Sequence, residues 1–166
     1  MKIYKIYKII DNTTNKPIYI GCTSQTLNKR LWQHNHDVQS QVYKHFISKG
    51  NNNLRIELIT KKQCTSSQAI KLEEIFTYIY GYGFKICNYN AGSIMFEDNN
   101  TEPLYDSIHF ILNEFLENTL PITESAFTEI ISCIAKILNY PLHQITKETL
   151  LELDDICCEK ICNEDY

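Results

Sequence analysis

KIYKIIDNTTNKPIYIGCTSQTLNKRLWQH, running from Lys5 to His34, reads as strand, turn, strand and helix in close succession. Residues 2–10 are Ile, Tyr and Lys, a β-branched and aromatic mix suited to a strand. The pattern is doubled, Ile3-Tyr4 preceding Ile6-Tyr7, and Tyr4 and Tyr7 fall on opposite faces of that strand. Asp11 to Lys16 is polar, and Asn and Asp tolerate turns by bonding their own backbone. Pro17 opens a second strand, Ile18-Tyr19-Ile20-Gly21, at a place where a missing N–H is tolerated. Thr23 or Ser24 can cap a helix over about Gln25 to Asp37. Leu27 and Leu31 give it an apolar edge, and Arg30 and His34, four apart, lie on a neighbouring edge within reach of one target.

Working outward, a second helix is expected from about Ser40 to Lys49, stopping at Gly50. Leu54 to Thr60 alternates as a strand. Thr65-Ser66-Ser67-Gln68 has the form of a capping box. It opens a helix whose apolar stripe is Ala69, Leu72, Ile75, Phe76 and Ile79, ended by Gly81 and Gly83. Lys85 to Asn90 reads as a short extended segment. After Ala91-Gly92 the composition changes. Residues 96–103 read as a polar linker, and three helical patterns follow over 104–166, with Pro121 and Pro141 in the breaks. The expected fold is α+β: a small antiparallel sheet of about three strands flanked by helices over residues 1–95, then an α-helical C-terminal region. That region is small for an independent core, so it is expected to pack on the front part or on a partner.

Charge divides the chain in the same place. Residues 1–95 hold 13 Lys and Arg against 5 Asp and Glu, a net +8, whereas residues 96–166 hold 3 against 15, a net −12. A basic front suits a polyanion such as DNA. An acidic helical surface suits solubility, or a basic protein partner. No apolar run is long enough to span a bilayer, and lysines interrupt the apolar N-terminus where a signal peptide would need continuity. An intracellular protein, cytoplasmic or nuclear, is expected. Seven cysteines, an odd number without paired finger spacing, favour reduced thiols over a zinc finger or disulfides.

The order of these pieces resembles the GIY-YIG nuclease domain. Its second motif is complete as Tyr19-Ile20-Gly21, and its first stands as Lys5-Ile6-Tyr7, with Lys5 in place of the leading Gly. The spacing to Tyr19 selects Tyr7 over Tyr4. The resemblance covers roughly the first 95 residues and implies a metal-dependent endonuclease that hydrolyses DNA by a one-metal mechanism using Mg²⁺ or Mn²⁺. It implies Arg30, nine residues beyond Gly21, as the phosphate ligand. It implies His34 for proton transfer or phosphate contact. It places Tyr7 beside the nucleophilic water and gives Tyr19 a hydrogen-bonding role. Glu73 is implied as the metal ligand, with Ala69-Ile70 before it and Ile75-Phe76 after it. Glu74 would shift that frame by one, and adjacent helical positions point about 100° apart, so one of the two faces the site. Asn88 and Asn90 both fit the Asn that closes the pattern, and Gly21 permits a close approach beside Tyr19.

The chemistry agrees with the pattern. A carboxylate on a rigid helix can hold a hard divalent ion, and a guanidinium holds phosphate bidentately at any relevant pH. A phenol with a pKa of about 10 needs a nearby cation to act as a base. Two other classes remain in view: a catalytically inactive nucleic-acid-binding module of the same fold, and a protein-interaction protein working through the acidic helices. No zinc-finger, basic-helix or helix-turn-helix pattern announces a separate DNA reader.

Overall fold

The computed structural model describes residues 2–49, 53–88 and 102–164. Strand β1 (Lys5–Asp11) is central in a three-stranded antiparallel sheet, between β2 (Lys16–Thr23) and β3 (Leu54–Leu58). Its position follows from its composition. Every residue from Ile6 to Asp11 is buried, so β1 needs cover on both faces and a neighbour on both edges. The hairpin closes through Asn15 at a φ of 54°, a left-handed conformation that Asn tolerates. A register shift between Ile9 and Ile10 sets Ile9 opposite Tyr19 but Ile10 opposite Pro17. Lys5 pairs regularly with Thr23, so the residue replacing the motif glycine is accommodated in ordinary extended backbone.

The helices divide between the two faces of the sheet. Helix α1 (Leu27–His36) and helix α2 (Tyr43–Lys49) cover the face carrying Tyr7, Ile9 and Ile18, with Val42 and Phe46 in that core. The other face, with Ile6 and Ile20, packs on α3 (Ser66–Gly83). The α1 cap differs from the sequence reading. Thr26 caps the helix, accepting from Lys29 N–H, while Thr23 bonds Gln25 N–H in the approach. Either threonine presents the same hydroxyl, and the approach turn decides between them. The α3 capping box forms as read, from Thr65 and Gln68. Gly81 does not end α3, which continues to Gly83. Residues 85–88 form no ladder strand, although Cys87 N–H bonds Ile18 C=O at 2.7 Å.

The C-terminal helices α4 (Glu102–Leu116), α5 (Glu124–Ile137) and α6 (Lys147–Glu164) lie close to the three helical patterns read from the sequence. They share one core with the sheet. Ile108, Ile111, Ile130 and Ile134 bury in the same cluster as Ile6, Phe76 and Ile79. A Cβ on Gly83 would run into Cys133 Sγ, so α3 and α5 approach as closely as a bare glycine allows. Pro121 C=O accepts Lys61 N–H at 2.9 Å, and Thr123 N–H bonds Ile59 C=O at 2.8 Å, tying the α4–α5 connection to the end of β3. Beneath the sheet the fully buried Lys8 ammonium meets Glu129 of α5 at 2.7 Å and donates to Ser125, and Tyr80 also donates to Glu129. No helix among the described residues is long and apolar enough to cross a membrane.

Candidate active site

Four elements converge at the β1–β2 end of the sheet. The register sets Tyr7 directly opposite Gly21, and Tyr19 lies two residues along the same face. Gly21 is the enabling residue. A Cβ there would lie 2.5 Å from Tyr7 Oη and 2.8 Å from the Tyr19 ring, so the two phenols occupy the space its missing side chain leaves.

Helix α1 crosses this face and brings Arg30 and His34, one turn apart, onto the same hydroxyl. Arg30 Nε–H donates to Tyr7 Oη at 3.0 Å, and His34 Nε2 lies 2.8 Å from that oxygen. His34 Nδ1 is 2.6 Å from Ser40 Oγ. Tyr7 is fully buried while Ser40 is partly exposed. A Tyr7 proton without a partner would therefore be the costlier arrangement, so we assign Tyr7 O–H to His34 Nε2 and Nδ1–H to Ser40. Burial first, and then the Arg30 charge, lower the His34 pKa to about 4, so the imidazole is neutral at pH 7. The Tyr7 pKa is driven well above its ordinary value by burial and then by Tyr19.

These contacts revise two expectations. His34 does not share an open surface with Arg30. It is 4% exposed and turned inward, its ring edge-on to Tyr19 at 5.0 Å between centroids and its Nε2 on the Tyr7 hydroxyl. Tyr7 was expected beside the water, but its hydroxyl is enclosed between Arg30 and His34. Tyr19 is the partly exposed phenol of the pair. Its pKa is held up at about 12, first by burial and then by Glu73, against an opposing pull from Arg30.

Glu73 and Glu74 separate as the helix geometry requires. Glu73 acts on Tyr7, on Tyr19 and on Cys22, whose thiol hydrogen-bonds it; burial and then that bond push the thiol to about 12. Glu74 instead accepts from Tyr78 Oη at 3.2 Å. Both line a cleft of ≈350 Å³ with Gln41, Ile70, Thr77, Tyr78 and Asn88. Asn88 donates to Ile20 C=O at 2.7 Å and accepts Ile20 N–H at 3.0 Å, bonding the free edge of β2 as a strand would. Asn90 lies outside the described residues. Arg30 is further held by Gln33, which accepts from Nη1 at 3.2 Å and itself donates to Gln25.

The hard oxygen of Glu73, at a solvent-open cleft beside phenol hydroxyls, fits a Mg²⁺-type ion that keeps several waters. Sequence reading passed over Ser40, Cys22, Gln33 and the Lys8–Glu129 pair. Only Lys8 left a signal, a lysine in phase with Ile6 and Ile10 on a buried strand face.

A three-stranded antiparallel sheet with tyrosines paired across a glycine and an Arg on the following helix defines a small α+β domain. Residues 3–78 match the family model of the GIY-YIG catalytic domain, a nuclease domain, and the C-terminal region is unassigned. No curated protein and no solved structure matches the chain significantly.

Proposed function

We propose that this protein is a divalent-metal-dependent endonuclease that hydrolyses DNA phosphodiester bonds with a single metal ion. The observation that carries the reading is the meeting of Tyr7, Tyr19, Arg30 and Glu73, from four separate elements, at one point within the matched domain. Glu73 would hold the Mg²⁺, which would supply charge neutralisation and leaving-oxygen stabilisation there. Asn88 keeps the edge of β2, and hence Tyr19, in place against α3.

Arg30 takes the scissile phosphate through its outer N–H groups while Nε–H stays on Tyr7. Tyr7 and neutral His34 form a rigid support behind it, at no cost in reorganisation during the reaction. Tyr19, partly exposed and flanked by Glu73 and Arg30, takes the proton of the attacking water as its phenolate and so becomes the neutral phenol. With its pKa held up at about 12, first by burial and then by Glu73, that phenolate is scarce at pH 7, and the rate should climb as pH rises.

The test is full-length protein on supercoiled plasmid, with Mg²⁺ or EDTA, beside Glu73→Gln and Glu74→Gln. Nicked or linear product that requires metal and Glu73 but survives Glu74→Gln supports the proposal. Plasmid shifted in a gel but never cut, under any divalent ion, favours a binding module instead. Cleavage lost only in Glu74→Gln would move the metal one helix position.

A further inference from the structure

A second cluster of donor atoms lies away from the cleft, between α4 and α6. His109 Nδ1 is 2.7 Å from Asp154 Oδ1 and 3.6 Å from Cys158 Sγ. One donor atom from each of the three falls within 4.8 Å of the others. The cluster has no place in the nuclease reading, and it joins two helices packed along each other.

We propose that His109, Asp154 and Cys158 form a zinc(II) site, with solvent in the fourth position. The donor set is the first reason. Imidazole, carboxylate and thiolate together suit zinc and exclude Mg²⁺ or Ca²⁺, which take oxygen. Geometry is the second. Zinc bonds of about 2.0 Å to nitrogen and about 2.3 Å to sulfur set a tetrahedral N···S edge of about 3.5 Å. The His109–Cys158 separation of 3.6 Å already matches it. The shorter His109–Asp154 distance of 2.7 Å is that of a bridging proton, which the ion displaces as the edge opens.

Placement is the third reason. Asp154 and Cys158 stand at i and i+4 on α6, neighbours on the face that meets His109. His109 is 40% exposed, so an ion can enter. The adjacent Cys157 is turned away, its buried thiol donating to Tyr105 C=O. The Cys158 thiol releases its proton to solvent as its sulfur binds, and nothing is oxidised or reduced. The ion cross-links α4 to α6 and so stiffens the helical half.

Cobalt(II) alone is the probe, titrated into reduced, metal-stripped full-length protein. One equivalent is expected to give intense tetrahedral visible bands and a near-ultraviolet thiolate-to-cobalt band, both bleached by Zn²⁺. Cys158→Ser and His109→Ala should each weaken or abolish them, and Cys162→Ser and Glu73→Gln should leave them intact. Asp154→Asn is near-isosteric and should also weaken the bands, which keeps the test valid even where another variant misfolds. The Tm should rise with Zn²⁺ but not Mg²⁺, and should not rise in Cys158→Ser. Absence of a thiolate band at one equivalent, or a band unchanged in Cys158→Ser, would overturn the assignment. So would a band lost in Cys22→Ser, because it would place the metal beside Glu73.

Discussion

The Tyr7 hydroxyl and His34 Nε2 stand 2.8 Å apart in the sheet–α1 core, the phenol wholly buried and the imidazole nearly so. This pairing makes stability depend on pH. The unfolded His34 has a pKa of about 6.5 and the folded one about 4, so between these values the unfolded chain binds more protons. Stability is therefore fully present above about pH 6.5 and falls as pH drops towards 4. The loss is on the order of 2 kcal/mol after allowance for residual solvent at the ring. Urea midpoints from pH 7 to 4.5 measure it. His34→Gln should lower stability at pH 7 and flatten this part of the slope; an unchanged slope would show that other groups set it.

Gly21 sits where a methyl group would meet Tyr7 Oη at 2.5 Å and the Tyr19 ring at 2.8 Å. Gly21→Ala must displace one phenol or part β1 from β2. Overpacking of this kind costs about 1–3 kcal/mol. The activity cost should be larger, about 100-fold, because an ångström of misplacement is enough to spoil alignment. Plasmid nicking and thermal melts on one sample compare the two effects. Near-wild-type nicking in Gly21→Ala would mean that the observed tyrosine packing is not the working arrangement.

The two tyrosines should separate kinetically. Tyr19→Phe removes the proposed proton acceptor and should lower kcat about 10²–10⁴-fold with KM little changed. Tyr7→Phe instead releases Arg30 and His34 from their shared partner. Its main effects should be a raised KM for DNA and a loss of stability. In pH profiles, the alkaline rise in rate should vanish in Tyr19→Phe and persist in Tyr7→Phe. The reverse pattern would return the proton-accepting role to Tyr7.

Much of this arrangement was legible beforehand. The sheet, the α3 capping box and the C-terminal helices follow local periodicity and caps, which act over a few residues. Arg30 and His34 were placed on one helix by their spacing, but spacing is blind to burial. A four-residue interval gives two side chains one face without saying whether that face meets solvent or the sheet, and here it meets the sheet at Tyr7. Spacing placed Tyr7 and His34 without showing that they are buried against each other. Ser40 and Cys22 left no trace because each acts through one long-range contact that only the assembled fold creates. The shared core was equally hidden, since α5 pairs with α3 across some fifty residues of chain, as Glu129 does with Tyr80.

Lys8 supplies a direct stability test. Its ammonium is fully buried, with Glu129 at 2.7 Å and Glu57 no nearer than 3.8 Å. Glu129→Ala leaves that charge without its close partner and should cost about 3–5 kcal/mol. A Lys8→Met, Glu129→Leu double variant should recover most of the loss, because an apolar pair needs no compensation. Denaturant midpoints for the wild type, Lys8→Met, Glu129→Leu and their double variant give the coupling energy. A single-variant loss below about 1 kcal/mol would mean that Lys8 escapes to water.

The same contacts decide what a truncation does. Cutting after residue 95 removes Ile108, Ile111, Ile130 and Ile134 from the core and leaves the apolar side of α3 uncovered. Each buried aliphatic side chain contributes about 1.5–3 kcal/mol by removal from water, so a few of them match the whole stability of an ordinary domain. Residues 1–95 alone should therefore lack a cooperative urea transition and should bind a hydrophobic dye. Loss of nicking in that fragment would then reflect loss of the fold, not removal of a DNA contact. A fragment with a sharp transition and native-like circular dichroism would show instead that the sheet and α1–α3 are self-sufficient, with the acidic helices an addition whose effect on DNA affinity could be read directly from the salt dependence of binding.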